Sequence, residues 1–172
     1  MHNSFHVPHT SIEQFTLDNG LRVVLNQDKS VPVVSVSVYY DVGSRNEPEG
    51  RTGFAHLFEH MMFQGSENVA KAAHFQYISN AGGTMNGTTS SERTNYFETL
   101  PASELPLALW LESDRMRSLN VTQENLDNQR EAVKEEKRLR YDNQPYVNGF
   151  LRLFEMSFKN PANAHSTIGS ME

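Results

Sequence analysis

The chain has 172 residues, 37% of them hydrophobic, which is enough for a domain with its own apolar core. A formal net charge of −6 gives nucleic acid no electrostatic footing, and no apolar run approaches the ~18 residues that a membrane span needs. There is no cysteine, so disulfides and thiolate metal sites are excluded and histidines and carboxylates remain as the available ligands.

Met1-His2-Asn3-Ser4-Phe5 has neither a basic start nor an apolar stretch, so no secretory signal is expected. A cytoplasmic location is favoured on that ground, with the periplasm as the alternative. His2, His6 and His9 fall in a terminal segment where solvated side chains are the expectation. Asp18-Asn19-Gly20 is a tight-turn signal between two apolar runs and predicts a hairpin over residues 15–26. Residues 31–40 form the strongest strand signal, alternating through Val34, Val36 and Val38, with Ser35 and Ser37 leaving room for close packing on the other face.

A loop rich in Gly, Pro and charge covers residues 41–50. A helix is expected from about Thr52, closed by Gly65. A second helix is expected over residues 68–81, ended by Gly82-Gly83. Thr, Tyr and Phe mark two short strands over residues 84–90 and 93–99. Pro101 opens a long helix through Met116, with Leu105, Leu109, Trp110 and Met116 as core positions. Thr122, with Asn125 three residues later, starts a charged helix that runs to about Tyr141. A further amphipathic helix follows over residues 146–158. His74 on the second helix and His165 in a polar loop could each lie at the surface, and neither is a candidate ligand. Strands and helices in blocks predict an α+β fold, largely antiparallel with helices packed on one side, in a single domain over residues 1–172.

His56-Leu57-Phe58-Glu59-His60 carries the chemistry. Residues four apart on a helix lie ~40° apart around it and ~6 Å apart along it, so His56 and His60 can reach one metal ion. Glu59 overlooks the same spot. Two neutral imidazoles, one more ligand and an open position make a catalytic zinc site, and a free carboxylate beside it can take a proton from water. His-x-x-Glu-His is the inverted zinc-peptidase motif. The bland alternative is two surface histidines on one helix face. Against it stand Phe54, Ala55, Leu57, Phe58, Met61, Met62 and Phe63, which surround the polar triplet with apolar groups and make unpartnered polar side chains costly. The third ligand must come from elsewhere. The charged helix is the donor to expect, and spacing does not choose among Glu131, Glu135 and Glu136.

Residues 54–63 with Gly65 closely resemble the active-site helix of the pitrilysin–insulinase family of zinc peptidases, which includes mitochondrial processing peptidase. Residues 17–23 resemble the family's opening hairpin, residues 43–47 the loop before the helix, residues 81–89 its Gly-rich turn and strand, and residues 129–136 the helix that supplies the third ligand. The resemblance implies one zinc ion per chain held by His56, His60 and Glu136, with Glu59 as general base. It also implies an extended peptide laid along the strand from Thr84 to Ser90, with Thr84, Asn86 and Thr88 as candidate contacts; an ordinary polar edge strand reads the same way. Many members carry a further Glu at the position of Gln129, which brings no charge.

In the family, the catalytic domain continues beyond the point matching Glu172, and a second peptidase-like domain or partner subunit closes over the substrate. The chain is therefore expected to be the C-terminally incomplete front part of a zinc metalloendopeptidase domain. The alternative is a truncated, non-catalytic subunit that binds peptides or a partner.

Overall fold

The structure is a computed structural model that describes residues 11–171, so the expectation for His2, His6 and His9 lies outside the described residues. The chain divides into two compact units, residues 1–32 and 33–172. In the first, β1 (Ile12–Thr16) pairs antiparallel with β2 (Arg22–Asn26), with Thr16 opposite Arg22. The turn uses its residues as their chemistry predicts: Gly20 takes φ +87°, and Asn19 Oδ1 accepts from the Leu21 N–H at 3.1 Å.

In the second unit, β3 (Val33–Tyr40), β4 (Thr84–Thr89) and β5 (Thr94–Pro101) form an antiparallel sheet in the order β3-β5-β4. The register sets Val34 opposite Leu100, Val36 opposite Glu98 and Val38 opposite Tyr96, while Met85 pairs with Glu98, Gly87 with Tyr96 and Thr89 with Thr94. With a side-chain period of two, these residues share one face. That face is covered by α1 (Phe54–Met61), α2 (Ala73–Asn80) and α3 (Leu105–Ser118). The fold is α+β. Its core joins Leu100 of the sheet to Val69, Ile78, Ala108 and Leu111, with Val34, Val36 and Met85 packed against them. Ser35 and Ser37 lie on the opposite, exposed face, where Ser35 Oγ bonds Thr99 Oγ1 at 2.5 Å.

Next come α4 (Gln123–Lys137), a π-helical turn over Arg138–Asp142, and α5 (Val147–Ser157). Thr122 caps α4 through its side chain, accepting from the Asn125 N–H at 3.1 Å. Among the described residues no helix is long and apolar enough to cross a membrane.

Two expectations are corrected. The second helix begins at Ala73 rather than at residue 68, because the Ala72 N–H, which a helix from residue 68 would aim at the Asn68 carbonyl, goes to the Phe63 carbonyl at 3.2 Å. On α3, Leu109, Trp110 and Met116 are exposed; the inward face is Ala108, Leu111, Glu112, Asp114 and Arg115. Polar groups take those places because each finds a partner there, as shown below.

Candidate active site

The helix that carries the histidine pair is pinned at its start. Glu47, on the loop before it, accepts from the Gly53 N–H at 2.9 Å and from the Ala55 N–H at 2.6 Å. A nearly buried carboxylate thus satisfies two of the N–H groups that a helix start leaves open, at the positive end of its dipole. Gly53 takes φ +96°, and a Cβ there would stand 2.8 Å from the Ile168 carbonyl oxygen, so glycine admits the chain at 161–171 against the helix start. His165 is half-buried, with Nδ1 3.8 Å from Glu47 Oε2.

On α1 the two imidazole rings stand 4.7 Å apart at 76°. Glu136 comes from α4, and its Oε2 lies 3.3 Å from His60 Nε2 and 3.7 Å from His56 Nε2. The three ligand atoms lie within 4.8 Å of one another. Tetrahedral zinc at ~2.0–2.1 Å from N and O ligands separates them by roughly 3.3–3.4 Å, so the donor set and its spacing fit that ion. Burial, and then the neighbouring His60, holds the His56 imidazole below its ordinary pKa, which favours the neutral ligating form; Glu136 and Glu59 oppose this. His56 Nδ1 is buried without a hydrogen-bond partner among the described residues. The second oxygen of Glu136 forms an ion pair with Arg140 Nη1 at 2.9 Å. Of the three carboxylates that spacing left open, Glu131 pairs with Lys134 and Glu135 with Arg138, both exposed. Gln129 donates its amide to Asn128 at 2.9 Å rather than to a ligand.

Glu59 projects toward β4, where Thr89 Oγ1 donates to its Oε2 at 2.5 Å. An apolar cavity of about 500 Å³ opens beside it, walled by Tyr40, Val42, Phe54, Phe58 and Met62. Thr84, Asn86 and Thr88 lie on the strand next to the site, at the sheet edge, but on the face opposite Glu59. Asn86 turns back to accept from the Gly87 N–H at 2.9 Å, and Thr88 is held by Asn95 and Arg93 at 2.5 and 2.8 Å. Arg45 pairs with Glu92 at 3.0 Å, so Arg45 and Arg93 both hold local structure.

The sequence reading missed a buried group beneath the sheet. His74 is 4% exposed, and its Nε2 lies 3.4 Å from Glu98 Oε2. Glu112 is beside them, and burial raises its pKa against the pull of Arg115. Arg115 donates Nε to Glu112 Oε2 at 3.0 Å and Nη2 to Oε1, so both Glu112 oxygens already face a cation. With Glu112 on the Arg115 guanidinium and Glu98 beside His74, the cluster is a buried ion network. Only an alignment of helix register with strand register could have revealed it, since its members come from α2, β5 and α3.

An antiparallel sheet backing a short helix that aims two imidazoles and a carboxylate at a glutamate from another helix defines an inverted-motif metallopeptidase-like domain. The profile described as Insulinase (Peptidase family M16) matches residues 22–168. The chain is 34% identical over 173 residues to the zinc protease PqqE of Helicobacter pylori, covering 100% of this chain and 38% of that protein. It is 32% identical to the probable mitochondrial-processing peptidase subunit beta of Arabidopsis thaliana, over 69% of this chain and 22% of the relative. A crystal structure of a protease from Helicobacter pylori superposes with a TM-score of 0.89 at 34% identity, over 94% of this chain and 39% of that one. The chain therefore belongs to the insulinase family of peptidases, and spans less than two-fifths of each of these relatives.

Proposed function

We propose that this chain is part of the catalytic domain of a zinc-dependent metalloendopeptidase that hydrolyses peptide bonds in extended peptides. The observation that carries the reading is Glu136 of α4 lying 3.3 Å from His60 Nε2, beside a second imidazole. His56, His60 and Glu136 would hold one zinc ion per chain. Zinc, when bound, supplies a Lewis acid that polarises the carbonyl to be attacked and makes water easier to deprotonate. Glu59 takes the proton from the attacking water and later delivers it to the leaving amine. Thr89 holds one oxygen of Glu59 by hydrogen bond, leaving the other for the proton.

The peptide would lie along the edge of β4 through main-chain hydrogen bonds. Thr84, Asn86 and Thr88 would flank it from the far face, and the cavity beside Glu59 suits an apolar side chain. The name of the Arabidopsis relative, a processing-peptidase subunit, favours a second peptidase-like subunit or domain over the substrate. Residues 1–172 are read as one domain of such an enzyme, consistent with the 38% of the Helicobacter relative they span.

The test is Glu59→Gln. Zinc content should stay at the wild-type level while peptide cleavage falls by roughly 10²- to 10⁴-fold. Unchanged turnover would remove Glu59 as the base. Retained zinc with no cleavage in either protein would favour a peptide-binding subunit.

A further inference from the structure

We propose that Thr89 is the positioning residue of the general base, fixing which oxygen of Glu59 is free to receive the proton. The inference rests on the reading of Glu59 as the base given above. A glutamate side chain has three rotatable bonds and in open surroundings samples several rotamers. Here three residues of the sheet remove that freedom.

Thr89 Oγ1 lies 2.5 Å from Glu59 Oε2. An ionised carboxylate only accepts, so the hydroxyl must be the donor. Thr89 is β-branched and stands on a strand, so its side chain has little choice of direction and the hydroxyl is aimed by the backbone. Gly87, two residues earlier on the same face of β4, supplies the space. A Cβ at Gly87 would stand 3.2 Å from both Glu59 Cγ and Glu59 Oε1, so the stem of the base and its second oxygen both lie in the volume that a side chain would contest. Tyr96, opposite Gly87 in the register, closes the floor, with its Cδ1 3.2 Å from the same point. Tyr96 is 2% exposed and carries the Arg115 guanidinium 4.2 Å from its ring centroid, which ties this floor to the buried ion network.

The chemistry suits the task. A cation at this place would hold Glu59 too, but would also stabilise the charged form strongly and oppose proton uptake. A neutral hydroxyl orients the carboxylate without placing a second charge beside it. The hydroxyl goes on donating to Oε2 after Oε1 has taken the proton, so the same contact serves both halves of the proton transfer.

The test compares Thr89→Val, which keeps the shape and deletes the donor, with Thr89→Ser, which keeps the donor. Both are made in the full chain, loaded with zinc and assayed on a fluorogenic peptide, with zinc content and crystal structures taken in parallel. Thr89→Val should lose about tenfold to a hundredfold in kcat with KM and zinc content unchanged, and Thr89→Ser should recover most of that loss. In the Thr89→Val crystal, the Glu59 carboxylate should rotate away from β4. Wild-type kcat in Thr89→Val, or a Glu59 carboxylate that keeps its place there, overturns the proposal. Failure of the base reading looks different: Glu59→Gln would cleave normally, while the Thr89→Val crystal would still report whether the hydroxyl holds the carboxylate.

Discussion

Glu136 has two oxygens with two different neighbours. One faces the imidazoles, and the other pairs with Arg140, whose side chain is 73% exposed. An exposed ion pair contributes roughly 0–1 kcal/mol, so Arg140 orients the carboxylate without setting the affinity of the site. Arg140→Ala should therefore weaken zinc binding by no more than about fivefold, measured by competition with a chromogenic chelator. A hundredfold loss would mean that the arginine carries a larger share than its exposure allows. The His56 ring contrasts with this. Burial lowers its pKa, so the folded chain offers a neutral nitrogen where a solvated histidine would compete with protons for the metal.

Two carboxylates decide how firmly elements are held. Glu47 satisfies two N–H groups at the start of α1, and with its carboxylate gone nothing else in the hydrogen-bond pattern takes over those donors. Glu47→Ala should lower the stability of residues 33–171 by about 1–2 kcal/mol and loosen the histidine pair, read by urea unfolding and by faster amide exchange along residues 54–61. Asp114 on α3 accepts from Ser66 Oγ at 2.5 Å and from Asn68, and these bonds hold its pKa below the ordinary carboxyl value. A depressed folded pKa means that the stabilisation is complete above about pH 4 and is lost as pH falls through the depressed value. Asp114→Asn should be less stable than wild type at pH 7, by about 1–2 kcal/mol, and the gap should close towards pH 2. A gap that stays constant from pH 7 to pH 2 would show that the charge is not what the Ser66 and Asn68 bonds recognise.

For the molecule as a whole, what was legible in the sequence is what depends on near neighbours. The Asn19-Gly20 turn, the alternation through β3, the Thr122 cap and the His56–His60 spacing are all set within a few residues, and each lies where its chemistry predicts. What escaped is set by distant partners. Leu109 and Trp110 of α3 look like core by hydropathy, yet Glu112 and Arg115 take the inward face because each neutralises the other there. His74 looks like a surface residue until β5 brings Glu98 to it, and Asn68 looks like a helix start until the Phe63 carbonyl takes the Ala72 N–H. Glu136 stands between these cases. Periodicity alone left it level with Glu131 and Glu135, family resemblance pointed to it, and the packing of α4 on α1 brings it to the imidazoles.

If side chains from α1 and α4 share one zinc ion, X-ray absorption on the zinc-loaded chain should show a shell of nitrogen and oxygen at ~2.0–2.1 Å with the multiple-scattering signature of two imidazoles, and Glu136→Ala should lose the zinc. A shell of one imidazole or none, or zinc retained in full by Glu136→Ala, would contradict that sharing.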